Sequence, residues 1–96
     1  MSNLQFEWDP DKSEDNRIKH GVTFEDAETV FDDVYAVLLH DEEHSEYEER
    51  FILIGVDSNL RRLYVCHCYR GKNDEIVRII SARKATKAEQ KLYRRK

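Results

Sequence analysis

The residues of this chain that could do chemistry are mainly arginines, lysines and tyrosines in its second half. Arginine binds a phosphate group through a planar fork of N–H donors, and an aromatic ring can stack on an unpaired base. These residues lie on or beside predicted strands and turns: Arg50, Arg61, Arg62, Tyr64, Tyr69, Arg70, Arg78, Arg83, Lys84 and Tyr93. The pattern fits a surface for a polyanion such as RNA, but it favours a solvated polar face slightly more, because a run of charge usually faces solvent.

The net charge changes sign between the two halves of the chain. Residues 1–49 carry three basic and sixteen acidic side chains, a net charge of 3 − 16 = −13. Residues 50–96 carry thirteen basic and four acidic side chains, a net charge of 13 − 4 = +9, and the total of −4 conceals this division. Because a cationic surface attracts a polyanion and an acidic one repels it, the second half is the candidate binding half.

A histidine and a tyrosine accompany these cations. Cleavage of RNA without a metal needs a base for the 2′-OH proton, an acid for the 5′-oxygen and cations for the charged transition state. His67, Tyr93 and the arginines could fill these roles. His67 shares a predicted strand face with Leu63 and Val65, however, so a core position for this histidine is the competing interpretation.

Two segments resemble metal-binding sequences only in part. His40 and His44 have a spacing that aligns two imidazoles on a helix, but here it spans a strand end and a loop. Cys66 and Cys68 flank His67, and neighbouring residues of a strand alternate between faces. We therefore predict no metal and no cofactor, and we expect two buried free thiols. A metal-binding protein is a weaker, third alternative.

The predicted first helix places cations in the acidic half. Lys12, Asn16, Lys19 and His20 fall at positions i, i+4, i+7 and i+8, which lie on one helical face. This face is either a polar helix surface or one wall of a phosphate-binding groove.

Hydrophobic spacing and capping signals predict the elements that position these residues. A first strand covers Leu4 to Trp8, and helices follow from Asp9 to Gly21 and from Thr23 to Asp32. Strands are predicted over 34–40, 51–56, 63–69 and 76–82, with an acidic loop over 41–49. A last helix is predicted from Thr86 to Lys96.

This order predicts a single α+β domain over residues 1–96, in which helices pack on one face of a small antiparallel sheet. The other face is then free for solvent or a ligand. No apolar stretch is long enough to span a bilayer, and the first residues lack the features of a signal peptide. We expect a cytoplasmic protein.

Several sequence blocks resemble the BrnT family of bacterial toxins. The blocks are FEWDPDK at 6–12, KHGVTFEDA at 19–27, ERFILIG at 49–55 and RIISARKAT at 78–86, followed by Glu89 and Tyr93. The resemblance covers nearly the whole chain. It implies a fold similar to that of RelE-type ribonucleases, a compact antiparallel sheet flanked by helices.

The resemblance also implies a toxin of a type II toxin–antitoxin pair, which cleaves RNA and halts translation. The implied partner is a BrnA-like antitoxin with a ribbon-helix-helix region, and DNA is contacted only through the complex. Carried onto this sequence, the expected catalytic residues are Arg50, His67, Arg83 and Tyr93, with His67 as the candidate base. We expect further RNA contacts from Lys12, Lys19, His20, Arg70, Arg78 and Lys84.

A binding module is the alternative from a different class of function. The toxin fold would then be catalytically weak or inactive, and its basic groove would hold an acidic segment of the antitoxin. The pair would act as a DNA-binding regulator. Cleavage of RNA by the free protein separates this alternative from a metal-independent endoribonuclease.

Overall fold

The computed structural model describes residues 4–93, and these form an α+β fold, as predicted. In chain order, the elements are β1 (Gln5–Glu7), α1 (Pro10–His20), α2 (Phe24–Glu28), β2 (Val37–His40), β3 (Phe51–Val56), β4 (Arg62–Arg70), β5 (Ile76–Lys84) and α3 (Lys87–Tyr93). Short 3-10 helices cover Thr29–Asp32 and Glu42–His44. The predicted helix end at Lys96 and the expected absence of a signal peptide before Leu4 concern residues outside the described range. No helix within 4–93 is long and apolar enough to cross a membrane.

The bounds of α1 follow from its capping residues. An Oδ1 atom of Asp9 accepts a hydrogen bond from the N–H of Asp11 at 2.9 Å, and Pro10 occupies the first helical position. Gly21 ends the helix with φ at +71°, a left-handed conformation that costs glycine little. Both ends of α1 are therefore local properties of the sequence.

Threonine caps begin the other two helices. The Thr23 hydroxyl accepts a hydrogen bond from the N–H of Asp26 at 3.0 Å. Thr86 and Glu89 form a reciprocal capping box, in which each side chain accepts from the other's backbone N–H, at 3.2 and 2.8 Å. The capping box places Glu89 at the start of α3, where it also meets a side chain of the sheet.

The sheet has the strand order β1-β5-β4-β3-β2. Strands β2 to β5 pair antiparallel, as expected, but β1 runs parallel to β5 over only three residue pairs. Two helices separate β1 from β2, so no hairpin constrains the direction of β1. Beyond Arg78, the edge of β5 that pairs with β1 therefore has no partner strand.

The two faces of the sheet are covered differently. α1 and α2 pack on one face, here called the helix side, over a core formed by Val22, Phe24, Ala27, Val30, Leu53, Leu63, Val65, Val77, Ile79 and Ala82. On the other face, Ile52, Ile54 and Ala85 form a smaller cluster against Tyr93 of α3. The helices thus pack on the sheet from both faces, not on one face as expected. We call the second face the α3 side.

Polar contacts attach α1 to the sheet, since its largest apolar side chain, Ile18, is exposed. Asn16 is buried, and its Nδ2 donates to the carbonyl oxygens of Val22 and Ala82 at 2.9 and 2.8 Å. Its Oδ1 accepts from the N–H of Ala82 at 3.1 Å. The side-chain amide therefore satisfies both backbone groups of Ala82 on the unpaired edge of β5, as a partner strand would.

Candidate functional site

Four of the predicted RNA-contacting cations line a single groove. They are Lys12, Arg50, Arg70 and Arg78, and the cavity has a volume of about 190 Å³. Its other lining residues are Asp9, Glu48, Cys68, Ile79 and Ile80. We call this cavity the cationic groove.

Four separate elements position the cations of the groove. On β4 and β5, Cys68 lies opposite Arg78, and strand alternation places Arg70 on the same face as Cys68. Lys12 lies in the first turn of α1, and Arg50 directly precedes β3. The groove therefore depends on the assembled sheet and on α1, because no two of these cations come from the same element.

The cations of the groove differ in how they are paired. Arg70 donates from Nε to Oε2 of Glu48 at 3.0 Å and approaches the same oxygen through Nη2 at 2.8 Å. Arg78 pairs with Glu7 at 2.9 Å. Within residues 4–93, the side chains of Lys12 and Arg50 form no hydrogen bond or ion pair. Lys12 and Arg50 are thus the cations most ready to bind an anion.

Arg83 lies on the α3 side but not in the groove. Its guanidinium carbon lies 3.9 Å from the centroid of the Tyr64 ring, and its two Nη atoms each lie 2.9 Å from a Glu89 oxygen. The hydrogen bonds that Arg83 donates to the Glu89 carboxylate raise the pKa of Arg83. Because the guanidinium is bound on three sides by the protein itself, its present role is to hold α3 on the sheet.

Tyr93 faces a different cavity from the cationic groove. Its hydroxyl donates a hydrogen bond of 2.7 Å to Oδ2 of Asp33, beside Asp32 and Asp57. Burial, together with this hydrogen bond, raises the pKa of Tyr93. Arg62 lies over the Tyr93 ring, with its guanidinium carbon 5.7 Å from the ring centroid, but Tyr93 does not line the cationic groove with Arg50.

The remaining predicted contacts also lie outside the groove. Lys84 is paired with Leu63, a core residue of the helix side, so it lies on the face opposite to Arg83. Lys19 and His20 lie in the last turn of α1, whereas Lys12 lies near its beginning. Of the cations on the predicted face of α1, therefore, only Lys12 lines the groove.

His67 is a core residue, and the structure contradicts its interpretation as the base. The side chain is fully buried on the helix side, 4.9 Å from the ring of Phe31 between centroids. Its nitrogens lie 3.2 Å from the carbonyl oxygen of Val65 and 3.2 Å from the hydroxyl of Tyr69. A base has to reach a proton of the substrate, and a side chain without exposed surface cannot do so.

The burial of His67 predicts a pH-dependent stability. Burial lowers its pKa to about 4, so between pH 6.5 and 4 the unfolded chain binds a proton there that the folded chain excludes. The free energy of unfolding should fall by about 3 kcal/mol across this window as the pH decreases. Urea unfolding at several pH values measures this fall.

Two variants test that assignment. His67→Gln should flatten the dependence of stability on pH between 6.5 and 4, while His20→Gln should leave it as in the wild type. Identical pH dependence in the wild type and His67→Gln would show that another group is responsible.

His40 at the end of β2 and His44 of the acidic loop each contact a carboxylate. His40 Nε2 lies 2.6 Å from Glu49, and His44 Nδ1 lies 3.0 Å from Asp41. Across the described residues, no group of three or more His, Cys, Asp or Glu side chains could hold a metal ion. Cys66 and Cys68 are buried free thiols.

Sequence reasoning missed Glu48 as a groove residue. It belongs to the segment predicted as an exposed acidic loop, but the loop folds onto the α3 side and brings Glu48 to Arg70. A hydrogen bond from the Cys68 thiol and the charge of Arg70 lower the pKa of Glu48. One sequence feature could have indicated that Glu48 lies near the groove. Glu48 comes two residues before Arg50, and the segment continues into the buried strand β3.

Two comparisons with known proteins found matches to this chain. A family model described as the ribonuclease toxin BrnT of type II toxin–antitoxin systems matches residues 8–89. The crystal structure of the Brucella abortus ribonuclease toxin BrnT is similar, with a TM-score of 0.67 and 26% sequence identity. That match covers 88% of this chain and 99% of the other. Among curated protein sequences, none matches the chain.

Proposed function

The chain belongs to the BrnT family of ribonuclease toxins of type II toxin–antitoxin systems, and we propose that it is an endoribonuclease that cleaves RNA in the cationic groove without a metal ion. Membership of the family implies an RNA substrate and an antitoxin partner. The antitoxin that we propose is BrnA-like, with a ribbon-helix-helix region through which the complex contacts DNA. We further propose that the free toxin acts in the cytoplasm and inhibits translation.

The observation that supports this proposal most strongly is the convergence of four cations from four elements. A transferring phosphate develops negative charge in the transition state, and fixed cations stabilise that charge. Two of the cations, Lys12 and Arg50, have no side-chain ion pair within the described part of the chain. They can therefore bind the phosphate oxygens without first breaking a contact.

The reaction that we propose is attack by the ribose 2′-OH on the adjacent phosphorus. Its products are a 2′,3′-cyclic phosphate and a 5′-hydroxyl end. Arg50 and Lys12 bind the non-bridging oxygens, and Arg78 adds to the field of the groove. We propose that Arg83 and Tyr64 contact the RNA chain where it extends along the α3 side. Tyr64 pairs with Arg83 and Cys68 with Arg78, with a β-bulge between the two pairs. The four residues from Cys68 to Tyr64 along β4 correspond to about 13 Å at about 3.3 Å per strand residue.

Cleavage in the presence of a chelator tests the proposal. Purified toxin, freed of antitoxin, should cut single-stranded RNA at an unchanged rate in excess EDTA, since no described group of side chains is arranged to hold a metal. The fragments should end in 2′,3′-cyclic phosphate, which acid opens to a mixture of 2′- and 3′-phosphates. Loss of cleavage in EDTA that returns with added Mg²⁺ would contradict a metal-independent mechanism.

A binding module is the second candidate, and one contact favours it. The Glu48 carboxylate sits within the groove on Arg70, which shows that an acidic side chain fits there. A glutamate or aspartate of an antitoxin could be held in the same way. If the free protein binds its antitoxin through Arg50 but cuts no RNA under any of these conditions, the binding module is the correct function.

A further inference from the structure

The proposed reaction needs a proton acceptor, and few described groups qualify. His67 is enclosed in the core, and the Tyr93 hydroxyl is bound to Asp33 outside the groove. Within the groove, Asp9 is engaged as the cap of α1. Cys68 is fully buried, and burial raises its pKa, so its thiol is a poor acceptor at neutral pH.

We propose that Glu48 is the general base of the groove and accepts the 2′-OH proton. This inference rests on the proposed ribonuclease function and assigns one catalytic step within it. Both Arg70 contacts go to Oε2, which fixes the carboxylate and leaves Oε1 outside the Arg70 fork. The side chain is 35% exposed, so a ribose hydroxyl can reach it from solvent.

The surroundings of Glu48 suit this role. The neighbouring cation Arg50 attracts its charge and has no ion pair within residues 4–93, so a phosphate bound to Arg50 would lie beside the carboxylate. From its own loop, Glu43, His44 and Glu46 line a neighbouring cavity with Glu48 and Arg50. The titratable and charged groups that line the groove with Glu48 are Cys68 and Arg70 of β4, Arg50 before β3, Arg78 of β5, and Lys12 and Asp9 at the start of α1. This set keeps the carboxylate ionised at neutral pH, as a base has to be.

The 2′-oxygen forms a bond to phosphorus while its proton passes to Glu48 Oε1. The bond from phosphorus to the 5′-oxygen breaks, and the electron pair stays on that oxygen, which takes a proton from solvent water. Glu48 then returns its proton to water, so the enzyme is regenerated and no oxidant or reductant is consumed.

The variant Glu48→Gln separates the role of general base from two other roles of Glu48, orienting Arg70 and blocking the groove. Gln keeps the size and hydrogen-bonding capacity of the side chain but cannot accept the proton. We expect kcat on single-stranded RNA to fall by about 10²–10⁴-fold, the usual contribution of a general base. Binding of 2′-O-methyl RNA, which cannot be cleaved, should stay equal or become tighter because a negative charge is removed.

The control is Glu46→Gln, an exposed carboxylate two residues earlier in the same loop, which should cut RNA at the wild-type rate. The wild type should lose kcat/KM as the pH falls through the lowered pKa of Glu48, and this limb should be absent in Glu48→Gln.

Two results would overturn the inference while the wild type cleaves RNA. Wild-type kcat in Glu48→Gln would mean that Glu48 only orients Arg70. Faster cleavage would mean that the carboxylate blocks the groove. If the wild type itself cuts no RNA, the proposed function fails first, and the assignment of Glu48 fails with it.

Discussion

Replacing Arg50 with alanine is expected to slow RNA cleavage by about 10²–10³-fold, the usual effect of removing one fixed group that stabilises transition-state charge. Arg50 is the guanidinium of the groove without an ion pair among the described residues, so its removal breaks no side-chain hydrogen bond or ion pair described there. The thermal stability of Arg50→Ala should therefore stay within about 0.5 kcal/mol of the wild type. Single-turnover cleavage of RNA and thermal unfolding measure the two effects.

The matched control for Arg50 is Arg17→Ala. Arg17 is an exposed arginine of α1 that pairs with Glu14 at 2.6 Å and does not line the groove. The Arg17→Ala variant should cleave RNA at the wild-type rate. Arg50→Ala should also reduce the slope of log affinity against log salt by about 0.7, the value for one lost phosphate contact to a single strand. Equal cleavage by the two variants would remove Arg50 from the site.

Replacing Asn16 with alanine is expected to destabilise the fold by about 2–4 kcal/mol, because three buried hydrogen bonds are lost and the polar groups of Ala82 are left unsatisfied. For a chain of this size, that loss lowers Tm by about 10–20 °C. Differential scanning calorimetry measures it. Since Asn16 fixes α1 on β5, cleavage should fall as well, through displacement of Lys12.

Two further variants test the role of Asn16. Asn16→Asp keeps the shape but replaces the Nδ2 donor by an oxygen facing the carbonyls of Val22 and Ala82, so it should destabilise at least as much as alanine. Asn73→Ala changes an exposed asparagine in the turn before β5 and should leave Tm nearly unchanged. If Asn16→Ala unfolds at the temperature of Asn73→Ala, the side-chain amide does not hold α1 in place.

The elements of the fold that could be predicted from sequence are those with local causes. The caps Asp9, Thr23 and Thr86 and the stop at Gly21 act within a few residues, and the structure confirms each of them. The apolar run from Phe51 to Val56 forms β3 with the predicted bounds. Capping and hydrophobic spacing are sufficient for these features because neither depends on distant contacts.

The arrangement of the elements in space could not be predicted in the same way. The parallel pairing of β1 and the position of α3 on the second face depend on contacts between residues far apart in the chain. The same is true of Asn16, which was predicted to lie on a polar helix surface or in the wall of a phosphate-binding groove but pairs with Ala82, 66 residues later. A polar residue that completes a strand edge leaves no periodic signal in a single sequence.

The candidate site was predictable in its residue types but not in its membership. Lys12, Arg50, Arg70 and Arg78 were all expected to contact RNA, and the groove brings them together. His67 was ambiguous because strand alternation fixes which residues share a face but not which face is covered by helices. The charge division likewise located most of the cations without showing that two acidic residues of the first half, Asp9 and Glu48, lie among them.

The most direct test of the central claim is a map of RNA binding on the folded chain. An NMR titration with a short 2′-O-methyl RNA, which cannot be cleaved, reports the contact surface residue by residue. The proposed site predicts the largest shifts at the backbone amides of Lys12, Arg50, Cys68, Arg70 and Arg78. Shifts confined to Tyr64, Arg83 and Tyr93, with the groove unaffected, would contradict it.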